Sequence, residues 1–180
     1  GGGLTTLAAA AEYPIRLVES GPAGGAALAA DIARAAKLDQ VLSFDMGGTT
    51  AKICLIDQGQ PQHSRSFEVD RSYRFKKGSG LPVRIPVVEM VEIGAGGGSI
   101  VTVDPLQRIQ VGPASAGSEP GPACYGRGGE AVTVTDADVV LGHLIPDGFA
   151  GGSIQLSAAR AEVAMGSSVG QALGLDNQQA

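Results

Sequence analysis

Tryptophan is absent from this 180-residue chain, aromatic residues make up only 4% of it, and just two cysteines and two histidines occur. Cys54 and Cys124 stand far apart, which removes a zinc site made by cysteines alone and any disulfide framework. A reducing, cytoplasmic setting is therefore the expectation. His63 and His143 each lack a histidine partner four residues away, so neither suggests a helical metal pair. Basic residues are outnumbered 13 to 18, and the net charge is −5. With no basic stripe to release counterions, nucleic acid is disfavoured as a main partner. The basic cluster Arg71, Arg74, Lys76 and Lys77 reads as a solvated loop, with contact to a phosphate or a partner subunit as the alternative. No apolar run approaches the ~20 residues of a membrane span. No charged segment leads into an apolar one in the manner of a signal peptide. What remains is a globular composition, 43% hydrophobic, long enough to bury one good core.

Glycine and proline, 28 and 10 residues, gather in loops between strand-like runs. The most informative of these loops lies between Val41 and Ile56. An apolar run ends in Asp45, the turn is Gly47, Gly48, Thr49 and Thr50, and a second β-type run follows at once. Glycines let main-chain N–H groups approach an anionic oxygen, and the threonines add hydroxyl donors. Asp45, at the carboxyl end of its strand, suits a Mg²⁺ held largely through water and phosphate oxygens. A P-loop or Rossmann site would continue into a helix, so strand–turn–strand points to another kind of phosphate site. An ordinary hairpin turn is the plain alternative.

This hairpin resembles the phosphate-binding hairpin of the actin-like ATPase superfamily. Further blocks occur in order: Glu19 to Gly25, Glu92 to Ile100, Val111 to Ser118, Pro120 to Gly129, and Thr133 to Asp138. Together they resemble the hydantoinase A / 5-oxoprolinase family, with relatives among acetone and acetophenone carboxylase subunits. The resemblance implies an α/β fold: an actin-like, ribonuclease H-like half-core with a mixed sheet, hairpins and flanking helices. It implies ATP and Mg²⁺ as cofactors, a cyclic amide as substrate, a hydantoinase B-type subunit or fused domain as partner, and a link to glutathione metabolism. It also makes residues 1–180 an internal fragment, the second ATPase half, incomplete at both ends and inactive alone. Family hairpins often read Gly-Gly-Thr-Ser-Thr-Asp, whereas Thr50, Ala51 and Lys52 stand here. That leaves a second metal contact and the substrate class open.

Other candidates follow from local chemistry. Gly94, Gly96, Gly97, Gly98 and Ser99 form a bare-backbone loop between strands, which either lines the nucleotide or allows a close structural approach. Glu92, beside it, is the candidate catalytic carboxylate together with Asp45. Asp136 and Asp138 read as helix-start carboxylates, and Cys124 as a small buried thiol. Helices are expected over residues 26–38, 136–144 and 157–173, and strands over 41–45, 51–57, 62–69, 83–93 (interrupted at Pro86), 99–103, 108–111 and 133–135. The long Gly/Pro/Ser loop from Gly112 to Gly129 is expected to be functional.

The leading reading is part of an ATP-dependent cyclic amide hydrolase. In it, phosphorylation of the carbonyl oxygen makes the ring amide open to water. An ATP-dependent ketone carboxylase subunit, a non-catalytic nucleotide-binding module and a ligand-free glycine-rich scaffold are the competing readings.

Overall fold

The computed structural model describes residues 3–73, 76, 78–177 and 179–180. Of the predicted basic cluster, Arg74 and Lys77 lie outside the described residues. The chain forms two compact units, one of Gly1–Asp45 with Lys52–Glu92 and one of Met46–Ala51 with Ile93–Ala180.

In the first unit a short helix α1 (Leu7–Glu12) is capped by Thr6, whose hydroxyl accepts from the Ala9 amide. The long helix α2 runs from Ser20 to Ala36, starting earlier than the alanine pattern predicts. Pro22 does not prevent this, because first-turn amides have no intrahelical acceptor in any case. The helix ends where Lys37 turns left-handed and returns its N–H to Ala33 and Arg34. Its buried face is all alanine, at positions 23, 26, 30 and 33, while Leu28 and Ile32 are exposed. That small face packs against Cys54, Ile56 and Val88.

Cys54 and Ile56 lie on β2 (Ala51–Asp57). This strand is central in a four-stranded sheet with β1 (Gln40–Met46), β3 (Gln60–Pro61) and, pairing β2 as well, β8 (Val91–Ile93). Side chains alternate along β1: Val41, Ser43 and Asp45 are half-buried, while Leu42, Phe44 and Met46 are exposed. The single strand predicted over 62–69 is instead broken into β3, β4 (His63–Ser64) and β5 (Phe67–Val69). Ser64 exchanges local hydrogen bonds with Ser66, which competes with ladder pairing there. β4 pairs with β7 (Val87–Val88) and β5 with β6 (Leu81–Val83), the interruption falling around Pro86 as expected.

In the second unit β9 (Ser99–Val103) and β10 (Ile109–Ser115) form the predicted antiparallel hairpin. Asp104 closes its loop by accepting from the amides of Arg108 and Leu106 and pairing with the Arg108 guanidinium. The Arg108 amide is the main cause holding this carboxyl below its usual range. Three helices follow: α3 (Val134–Val140), α4 (Ala158–Met165) and α5 (Gln171–Leu173). A π-turn at Gly166–Gly170 joins the last two into the one run predicted over 157–173. There Ser168 hydrogen-bonds back to the Ala164 carbonyl and Ser167 does the same, which widens the helix. Thr133 is not in a strand: it makes one bridge to Ile100 and caps α3. The mixed α/β class with hairpins and flanking helices is as expected.

Candidate functional site

The second unit contains a cavity of about 440 Å³, walled on one side by Gly47, Gly48, Thr49, Gly97 and Gly98. The walls follow from how two glycine segments meet. Within the hairpin, the Gly47 amide donates to the Thr50 carbonyl at 3.0 Å, closing the turn. The carbonyls of Gly47 and Gly48 then accept from the amides of Gly97 and Gly98, at 2.9 and 2.7 Å. No side chain fits between these backbones. A Cβ at Gly96 would lie 2.6 Å from the Gly47 oxygen, and one at Gly98 would lie 2.9 Å from the Gly48 oxygen.

This changes the meaning of the glycine run. The amides of Gly96, Gly97 and Gly98 are all engaged inside the protein, the first by the Ser99 hydroxyl at 2.9 Å. They buttress the turn and have no N–H left for an anion. The amides of Gly48 and Thr49, by contrast, have no partner among the described residues. Both residues line the cavity, and with the Thr49 hydroxyl they form a ready anion-binding group.

Ser115 and Ser118 add hydroxyls to the wall. Ser115 reaches it because the hairpin register slips between Val111 and Ser115, setting Ser115 opposite Ser99. Its hydroxyl accepts from the Gly117 amide. The start of α3 is pinned to the glycine run, since both the amide and the hydroxyl of Thr135 donate to the Gly97 carbonyl, at 2.8 and 2.9 Å. Asp138, one turn further along α3, also faces the cavity, as do Leu144 and the Tyr125–Phe149 ring pair, whose centroids are 5.8 Å apart. The cavity lining therefore combines polar backbone and hydroxyls with apolar, aromatic side chains.

Asp136 is fully buried and holds this arrangement together. One carboxylate oxygen accepts from the Cys124 amide at 2.7 Å. The other accepts from the Thr133 amide, the Thr133 hydroxyl and the Ala123 amide. Its role as a helix-start carboxylate is thus extended to anchoring the loop that carries Tyr125. Cys124 is completely buried. Burial pushes its thiol well above the ordinary range, and the hydrogen bond and charge of Asp136 add to the shift. Such a thiol is inert as a nucleophile.

The sequence-derived residues divide as follows. Gly47, Gly48, Thr49, Gly97 and Gly98 come together at the cavity. Gly96, Ser99 and Thr50 stand behind it: Ser99 is buried against the Gly96 amide, and the Thr50 carbonyl closes the turn. Gly94 leaves its carbonyl near Gly112, 3.6 Å from where a Cβ there would sit. Asp45 and Glu92 belong to the first unit. The Asp45 carboxylate points toward α2, 3.9 Å from where a Cβ on Gly25 would be. Glu92 is ion-paired with Lys52 at 3.2 Å, and Lys52 also reaches Glu19 at 3.7 Å. Lysine at 52 is thereby held between two carboxylates. Among the described residues no three of His, Cys, Asp and Glu gather as a metal cluster.

Residues that motif reading left unassigned are Ser115, Thr135 and the Tyr125–Phe149 pair, while Asp138, read as a helix-start carboxylate, lies beyond the first turn of α3 and lines the cavity. All but Phe149 lie in the ordered blocks noted above, so the signal was their membership of those blocks.

The sequence pattern of the Hydantoinase/oxoprolinase family matches residues 1–180. The chain belongs to that family. It is 42% identical over 167 residues to an uncharacterized protein of Methanocaldococcus jannaschii, covering 91% of this chain and 24% of that protein. It is 37% identical to caprolactamase subunit alpha of Pseudomonas jessenii, covering 99% and 24%. The crystal structure of that organism's ATP-dependent caprolactamase superposes with a TM-score of 0.66 at 36% identity, over 89% of this chain and 22% of the other. The nucleotide-free structure of acetone carboxylase superposes at 0.64 and 32%, over 89% and 21%. This family member thus spans about a quarter of the length of its curated relatives.

Proposed function

We propose that this family member is part of an ATP-dependent enzyme that opens cyclic amides, and that its cavity receives the nucleotide with phosphates toward Gly48 and Thr49. The observation that carries the reading is the pair of amides at Gly48 and Thr49, without a partner among the described residues, on the wall of the cavity. A volume of about 440 Å³ lies within the range of small-molecule sites. The donor set fits a polyphosphate: two backbone amides, the Thr49 hydroxyl and the hydroxyls of Ser115 and Ser118.

Mg²⁺ retains most of its water and needs only one or two protein carboxylates, so the single carboxylate of Asp45 is compatible with holding it. ATP supplies a phosphoryl group that, on the amide carbonyl oxygen, makes the ring carbon open to attack by water. The protein's share is positioning and electrostatics: the Gly48–Thr49 amides hold phosphate oxygens and stabilise charge that develops on them. The glycine buttress fixes those amides before ligand arrives. Glu92 is the proposed acid–base residue, and Lys52 pairs with it at 3.2 Å. A B-type subunit or fused domain completes the site, and the setting is cytoplasmic.

A second reading, an ATP-dependent ketone carboxylase subunit, is favoured by the likeness to acetone carboxylase. The two separate in one assay series on the full-length protein with its copurifying subunits. ATP turnover is measured with hydantoin, 5-oxoproline and caprolactam, and with acetone plus bicarbonate. Turnover stimulated by a cyclic amide and abolished by Asp45→Ala is the expected result. Stimulation by the ketone alone transfers the protein to the second reading, and undiminished turnover in Asp45→Ala removes Asp45 from the site.

A further inference from the structure

We propose that Asp138 is a specificity residue for the sugar of the nucleotide, accepting a hydrogen bond from a ribose hydroxyl. The proposal rests on the nucleotide reading above and deepens it. Its starting point is a carboxylate on the wall of a cavity whose lining also carries the Gly48 and Thr49 amides. A phosphate beside Asp138 would be repelled, so this wall must face an uncharged part of the ligand. Of the parts of a nucleoside triphosphate, the ribose is neutral and presents hydroxyl donors.

The geometry supplies the order along the cavity. Thr135 is bonded to Gly97, whose own amide holds the phosphate turn. Asp138 follows three residues later on the same helix, about 4.5 Å further along its axis. Leu144 and the Tyr125–Phe149 pair make up the apolar remainder. Along α3 the wall thus runs from the Thr135 hydroxyl, held at the glycine turn, to the Asp138 carboxylate, and the rings of Tyr125 and Phe149 line the same cavity. A nucleoside triphosphate laid out the same way reads phosphate, sugar, base.

Asp138 is also prepared to accept. One of its oxygens lies 3.2 Å from Nδ1 of His143, which donates to it as the Nδ1–H tautomer. The amide of His143 in turn donates to the Asp138 carbonyl at 2.8 Å, which fixes the imidazole beside the carboxylate. The second carboxylate oxygen has no partner among the described residues and is the one assigned to the sugar. The side chain is 22% exposed, screened enough to hold its direction yet open to a ligand.

The test is equilibrium binding to the full-length protein, wild type and Asp138→Ala. The probes are ATP, 2′-deoxy-ATP, 3′-deoxy-ATP and inorganic tripolyphosphate. Wild type should bind ATP about tenfold more tightly than one of the two deoxy analogues, the loss expected for one hydrogen bond to a charged group. Asp138→Ala should bind ATP about tenfold more weakly, show no discrimination against that analogue, and bind tripolyphosphate as wild type does. His143→Ala, which keeps the carboxylate, should preserve the discrimination. Equal wild-type affinity for all three nucleotides overturns the proposal, as does discrimination that survives in Asp138→Ala. A parallel loss of tripolyphosphate binding in Asp138→Ala would mark a merely structural role and also overturns it. Failure of wild type to bind either ATP or tripolyphosphate overturns the nucleotide reading itself, a result distinct from the others.

Discussion

Replacing Gly96 by alanine tests the claim that the glycine run is a buttress. The added methyl would lie 2.6 Å from the Gly47 oxygen, 2.7 Å from the Thr49 carbonyl carbon and 2.7 Å from the Thr50 nitrogen. All three are backbone atoms, so no side chain can swing aside. Comfortable contact begins at about 3.5 Å, and the turn must therefore withdraw by somewhat under ~1 Å. Overpacking of this kind costs about 1–3 kcal/mol. The same movement stretches the bonds from Gly97 and Gly98 to the turn carbonyls, each worth about 1 kcal/mol. Together these give roughly 3–5 kcal/mol, or about 6–20 °C in Tm for a chain of this length. Gly48→Ala is the matched control. A Cβ there meets nothing within 4 Å, so Tm should stay within about 2 °C of wild type. Because Gly48 lines the cavity, ATP affinity should nevertheless fall in that variant. Differential scanning calorimetry with ATP titration reads both quantities. A Gly96→Ala protein as stable as wild type, with unchanged ATP affinity, would refute the reasoning.

Two further predictions concern the buried anchor. Asp136→Asn substitutes an NH₂ group for an oxygen among four converging donors, and should cost about 2–4 kcal/mol. Calorimetry measures the loss, and limited proteolysis should find the 118–130 loop newly cleavable; an unchanged Tm would show the anchor to be dispensable. Cys124 should resist iodoacetamide at about pH 8 in the native protein and react once unfolded. Its folded pKa is raised above the ordinary 9.0, so its contribution to stability is full below that value and lost as pH climbs above it. Cys124→Ala should accordingly flatten the alkaline limb of the Tm–pH curve, and an identical limb in both proteins would contradict the assignment.

Strands and helices with strong local periodicity were legible in the residues. The Asp45–Thr50 hairpin, the β9–β10 hairpin and the Ser157 cap fall where their turn and capping chemistry puts them. What local pattern could not show was which amides remain unpaired. Gly97 and Gly48 look equivalent as sequence, yet one amide is bonded across about fifty residues of chain and the other has no partner among the described residues. Tertiary partners decide this, and a single sequence does not name them. The helix start at Thr133 was missed for a related reason. Thr133, Val134 and Thr135 favour strands by propensity, and the reciprocal capping bonds between Thr133 and Asp136 outweigh it. The cavity's far wall escaped notice because its aromatic pair, Tyr125 and Phe149, is separated by a helix and assembled only on folding.

The peptide following Gly97 has a further consequence. Its carbonyl is gripped by the amide and hydroxyl of Thr135, while the amide of Gly98, in the same rigid plane, holds the Gly48 carbonyl. A planar unit cannot tilt at one edge without tilting at the other. The turn at Gly48 and the first residues of α3 are therefore joined by a crossbar one peptide wide, and they swing as a single lever. Any displacement of the turn is delivered to the helix that carries Asp138, so the glycine turn and Asp138 register the same event together.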